Sequence, residues 1–63
     1  MWITFGLYAL ARGGTARFVP FLGRDDADAL VHAQDMLAQD AAIDQIDVHR
    51  GGELIFSVTR PDG

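Results

Sequence analysis

The sequence predicts a single small α+β domain in the order strand–strand–helix–strand–strand, a four-stranded sheet with one helix packed on one face. Three observations carry this. Two pairs of apolar runs are each split by an Arg-Gly-Gly turn, at Arg12-Gly13-Gly14 and Arg50-Gly51-Gly52. Adjacent glycines between apolar runs signal hairpins, because hairpin turns need positive φ and glycine adopts it without a Cβ clash. Between the pairs lies an alanine- and leucine-rich stretch with helical spacing and an aspartate at its start. Finally, 63 residues, numbered 1–63, allow one domain and no more.

The first strand covers Trp2 to Ala11, rich in the aromatic and β-branched types that suit a pleated surface. Its alternation sends Ile3, Phe5, Leu7 and Ala9 to one face and Trp2, Thr4, Gly6, Tyr8 and Leu10 to the other. The second strand runs from about Ala16 to Leu22. Pro20 cannot donate a ladder hydrogen bond, so this strand belongs at a sheet edge or carries a bulge. Its register stays open. A two-residue loop directs Phe18 and Leu22 to the core, whereas a three-residue loop directs Val19 and Phe21 there.

Asp25 or Asp26 caps the helix, with Asp28 adding charge that complements the positive helix end. Leu30, Ala33, Leu37 and Ala41 form the expected buried stripe, opposite Asp28, His32, Asp35 and Gln39. The helix ends near Asp40 to Ala42. A third strand covers about Gln45 to His49 and a fourth Glu53 to Thr59. A three-residue second loop, with Gly52 left-handed in a bulge, gathers Ile46, Val48, Leu54, Phe56 and Val58 on one face. Burial favours that register, since a one-residue slip inverts every side chain. Strands one and four are the most apolar. The expected sheet order is therefore 2-1-4-3, with polar strand three and proline-bearing strand two at the edges. The tail Arg60-Pro61-Asp62-Gly63 is expected to fray.

Composition narrows the function classes. Without cysteine there are no disulfides and no thiolate metal ligands. A domain this small is marginally stable and needs another staple, which leaves association with a partner. Five arginines face eight aspartates and one glutamate, a net charge of −4. Phosphate backbones are held by Lys and Arg, so direct nucleic-acid binding is not expected. The longest apolar run, Trp2 to Ala11, is half the ~20 residues a membrane-spanning helix needs. The reading is a cytoplasmic protein with no membrane segment.

No side-chain constellation reads as an active site, and no cofactor is implied. Asp28, His32 and Asp35 at i, i+4 and i+7 have ligand-type side chains, but they lie opposite the apolar stripe, where charges meet water. Asp47, His49 and Ser57 share the open sheet face. That face offers no cleft for nucleophilic catalysis. Neither Gly-Gly pair matches a phosphate-loop spacing. Arg12, Arg17, Arg50 and Arg60 sit near turn ends, outnumbered by acids.

What remains is the open face, where Trp2, Tyr8, Leu10 and Ile55 form the candidate interface. Contiguous exposed apolar area on a small protein marks a binding surface. The expected function is a non-enzymatic interaction module, a homodimer joined through the open face or an edge strand, with a further protein partner allowed. The alternative is a small acidic inhibitor, an antitoxin or phage-type anti-defence protein. It would block a nucleic-acid-binding partner with Asp25, Asp26, Asp28 and Asp35.

Several stretches resemble a family of short bacterial ββαββ domains of unknown function. These are Ile3 to Leu7, then Asp25 to Ala38 with Ala27, Ala29, Ala33 and Leu37, and finally Ile46 through Val58. The first turn departs, with Arg12-Gly13-Gly14 where that family has acidic turn residues. This resemblance implies a fold and no activity. Gly13-Gly14, Pro20 and the alanine-rich helix are similar to part of the core of HicB-type antitoxins, though the additional strand before the helix is missing here.

Overall fold

The computed structural model describes residues 1–60; residues 61–63, where most of the expected frayed tail falls, lie outside the described residues. Four antiparallel strands form one open sheet: β1 (Ile3–Ala11), β2 (Ala16–Gly23), β3 (Ile43–Arg50) and β4 (Glu53–Thr59). One helix, α1 (Asp26–Gln39), connects β2 to β3. The α+β ββαββ architecture is as the sequence predicts.

The strand order is β2-β1-β3-β4, not 2-1-4-3. Chain direction explains the difference. The helix returns the chain so that β3 runs alongside β2 in sense and opposite to β1. Placing β3 beside β1 makes every pair antiparallel. Placing β4 there would require one parallel pair, which is slightly less stable per residue. The polar residues of β3 do not mark an edge. Asp47 and His49 point to the open face, while Ile43, Ile46 and Val48 are fully buried on the other.

Both hairpins bury large side chains, by different routes. In the first, Leu10 pairs with Ala16 and the Ala11 N–H donates to the Thr15 carbonyl at 2.7 Å. The three residues Arg12, Gly13 and Gly14 therefore form the loop. Val19 and Phe21 face the helix, and Phe18 and Leu22 face away. Pro20 lies in edge strand β2 with no break in register.

In the second hairpin Arg50 pairs with Glu53, so Gly51 and Gly52 are a two-residue loop, both left-handed at φ 60° and 82°. The expectation that Gly52 alone would hold positive φ is corrected. Four of the five residues expected on the helix face are there, with Ile46 opposite Val58 and Val48 opposite Phe56, while Leu54 is not. A bulge at Ile55 supplies the extra residue instead of the loop. As a result Leu54 stands beside His49, more than half exposed, and Ile55 packs against the core.

Asp25 is the helix N-cap, its Oδ1 accepting the Asp28 N–H at 2.9 Å. Asp28 Oδ2 in turn accepts the Arg24 N–H at 2.8 Å. This reciprocal arrangement satisfies donors the helix start leaves orphaned. The buried stripe is Ala29, Ala33 and Leu37. Leu30 is instead partly exposed, and Ala41 lies beyond the helix end. Small side chains face the sheet because they let the helix approach Phe5, Leu7, Ile46 and Val48, all fully buried. That rotation also brings His32 to the sheet, where its ring stacks on Phe21 at 4.2 Å and 11°.

Candidate functional site: the open sheet face

Strand alternation places Thr4, Gly6, Tyr8 and Leu10 of β1 on the face away from the helix. Cross-strand pairing sets Phe18 directly opposite Tyr8, and their rings are 5.1 Å apart. On the other flank the His49 ring meets Tyr8 edge-on at 4.8 Å. Such tilted aromatic pairs add stabilisation beyond the area they bury. The Phe18 ring lies over Gly6, so close that a Cβ on Gly6 would stand 2.7 Å from it. At one end of the face the Arg24 guanidinium sits 5.3 Å from the Trp2 ring centre, within cation–π range.

The β3–β4 half of the same face is polar. Asp47 Oδ1 accepts from Gln45 Nε2 and from Ser57 Oγ, both at 2.7 Å. These hydrogen bonds, Gln45 first and then Ser57, hold the Asp47 carboxyl below its usual value, with the charge of His49 adding to them and desolvation opposing. The Ser57 hydroxyl thus donates its hydrogen bond to a carboxylate rather than to an imidazole, and His49 is engaged with Tyr8. The face is a shallow surface with an aromatic half and a polar half.

Of the four residues expected in the interface, Trp2 and Tyr8 are exposed on this face and Leu10 is half-buried on it. Ile55 is corrected: the bulge turns it to the core, and Leu54 takes its place. Phe18 and Leu22 were missed, and both are more than half exposed. The signal for them was the three-residue first loop, one of the two registers the turn permits.

The other sequence candidates are dispersed. Asp25 and Asp28 are occupied in the helix cap, and Asp26 pairs with Arg50. Arg12 pairs with Asp44 at 3.3 Å. Arg60 Nη2 donates to the carbonyls of Asp40 and Ile43 at 2.8 and 2.5 Å, beside the helix C-terminus. Asp28, His32 and Asp35 do not converge. His32 lies flat on Phe21 instead of facing water as the sequence suggested. Among the described residues no group of three His, Cys, Asp or Glu side chains is placed to hold a metal. Nor is any helix among them long and apolar enough to cross a membrane. No protein-family model, curated protein or solved structure matches the chain.

Proposed function

We propose that the chain is a non-enzymatic interaction module that pairs with a second copy of itself through the open face of its sheet. The observation that carries this is that Trp2, Tyr8, Phe18, Leu22 and Leu54 are all exposed, with the Tyr8 and Phe18 rings packed together. Four of these come from the first hairpin and its flank, and one of them, Phe18, covers Gly6 with its ring. Exposed aromatic and aliphatic side chains gathered on one side mark interfaces on small proteins.

Size supports the choice of partner. The two longer dimensions of the molecule are 35 and 21 Å, enclosing roughly 700 Å². A standard interface buries ~800 Å² per partner, so the whole face, its polar half included, would have to take part. Two such faces can pack as sheet on sheet, about 10 Å apart, with their inner side chains interdigitating. The Asp47 network lies toward one side of the patch, where it would supply a polar rim.

Sedimentation at micromolar concentration tests the reading. An assembly of two or more copies is expected, and Phe18→Asp should raise its dissociation constant at least ten-fold while leaving the circular dichroism spectrum unchanged. A wild-type chain that stays monomeric up to millimolar concentration overturns it.

A further inference from the structure

The two edges of the sheet differ. Edge strand β2 carries Pro20, which lacks an N–H and resists pairing with another strand. The opposite edge, β4, holds no proline within Glu53–Thr59, and among the described residues no strand pairs with its outer side. The Arg60 N–H donates inward to the Asp44 carbonyl. Antiparallel ladders alternate, so the N–H groups of Val58 and Phe56 also point inward and those of Ser57 and Thr59 point out. Next to this edge the layer between helix and sheet is incompletely closed. Phe56 and Val58 are only half-buried, and hollows lie between them and Leu30 and Ala38 of α1.

We infer that the outer edge of β4 pairs antiparallel with β4 of a second copy, about a two-fold axis at Ser57. The pairing continues the sheet across the axis to eight strands. A two-fold perpendicular to the sheet keeps each side chain on its own face, and an axis at Ser57, whose N–H points out, sets Ser57 against Ser57 and Phe56 against Val58. The two Ser57 residues then exchange both backbone hydrogen bonds. Phe56 and Val58 of each copy close the gap beneath the paired helices.

Charge selects a second copy as the occupant. Strand β4 begins with Glu53 and is followed by Arg60. Glu53 pairs with Arg50, which reaches the helix, and Arg60 also reaches the helix end. Both charges therefore lie on the helix side of the sheet. Antiparallel pairing brings the acidic end of one strand beside the basic end of the other, twice per dimer. A parallel arrangement would set like against like. This surface is distinct from the open face, so one copy can make both contacts at once.

The test separates the two contacts. In the Phe18→Asp background, which removes the open-face contact, sedimentation up to millimolar concentration should still show a dimer. Adding Ser57→Ala, which keeps the outward N–H, should leave that dimer. Adding Ser57→Pro, which deletes the N–H, should raise its dissociation constant at least ten-fold. The Ser57 amide should also exchange its hydrogen at least ten-fold more slowly in the dimer than at nanomolar concentration, a readout that needs no proline. A monomeric Phe18→Asp chain beside an associating wild type overturns the edge contact and leaves the open-face reading standing. An exchange rate at Ser57 that is independent of concentration overturns the edge contact as well.

Discussion

The two faces of the sheet use the same device with opposite outcomes. On the helix side Phe21 lies over Gly23, with a Cβ position 2.7 Å from its ring. On the open side Phe18 lies over Gly6 at the same 2.7 Å. Phe21 is then closed in by the stacked His32 ring and by Phe5, whose ring centre is 6.3 Å away. Phe18 has Tyr8 beside it and remains more than half exposed. An aromatic ring covering a strand glycine fills the gap that the missing side chain leaves. One ring is finished by the helix. The other presents a flat apolar surface, and the proposed partner copy does there what α1 does on the helix side.

Truncation should separate the faces most sharply. Leu7 and Tyr8 are neighbours in β1, but Leu7 is fully buried and Tyr8 is exposed. Leu7→Ala should destabilise the fold by about 2–5 kcal/mol through lost burial and the cavity left behind. In a domain this small that is enough to unfold much of the population. Tyr8→Ala should cost less in the monomer, about 1–2 kcal/mol from the lost ring contacts with Phe18 and His49, and should also weaken association. Urea unfolding at nanomolar concentration, set beside sedimentation at micromolar concentration, distinguishes these. Comparable loss of monomer stability from both would mean that the open face is part of the fold's own support.

Filling the two glycines is a finer probe. A Cβ at Gly23 meets Phe21 at 2.7 Å, the Asp28 Cβ at 3.1 Å and Phe5 at 3.4 Å. None can withdraw easily from the covered layer, so Gly23→Ala should cost about 1–3 kcal/mol as overpacking. At Gly6 only the far end of the Phe18 ring is in the way, and that ring can swing into solvent. Gly6→Ala should leave monomer stability within about 0.5 kcal/mol, yet weaken association by displacing Phe18. Equal destabilisation at both sites would contradict the asymmetry.

How much of this was legible in the sequence depends on which force decides each feature. The helix and a cap at Asp25 or Asp26 were readable, because capping is local chemistry, and the structure selects Asp25. So was the shared face of Ile46, Val48, Phe56 and Val58, because burial fixes register, although Leu54, expected with them, is exposed. The loop that delivers the register was not. A bulge at Ile55 and a longer turn both set Phe56 and Val58 beneath the helix with Ile46 and Val48, and they differ at Leu54, which the bulge leaves on the open face. The helix stripe was misread by one position. Leu30-Ala33-Leu37 and Ala29-Ala33-Leu37 share most members, and only packing distance to the sheet selects the smaller side chains. Strand order failed because Asp47 and His49 were weighed as edge markers, when a sheet covered on one face lets a central strand carry polar residues on the other. The expected set of exposed apolar residues inherited these errors, lacking Phe18, Leu22 and Leu54, while Trp2 and Tyr8 are exposed as expected.

The two glycine turns extend the comparison beyond the faces. Gly51 and Gly52 both lie at positive φ, with open space where a Cβ would be added. The cost of a substitution there is therefore backbone strain alone. Gly51→Val and Gly52→Val should each destabilise by about 1–2 kcal/mol, and by similar amounts. Thermal unfolding of the pair checks this. A large excess at Gly52 would point to a three-residue loop in solution.

The smallest expected effect belongs to Asp47, the polar counterweight on the open face. Its carboxylate is the form that accepts from Gln45 and Ser57, so folding holds its pKa below the ordinary 3.8. As pH falls, the unfolded chain takes up a proton at this position before the folded chain does. The stabilisation is therefore fully present above the ordinary carboxylate value and disappears as pH drops through the folded one. Asp47→Asn has no charge to titrate. Urea unfolding at pH 7 and pH 3 should show the wild type losing slightly more stability on acidification than Asp47→Asn, because the other acids titrate alike in both. The difference is small, since Asp47 is only part-buried and water competes for both hydrogen bonds. An identical acid response in the two proteins would mean that the Gln45–Asp47–Ser57 network does not persist in solution. The polar half of the open face would then be as free as its aromatic half to meet a partner.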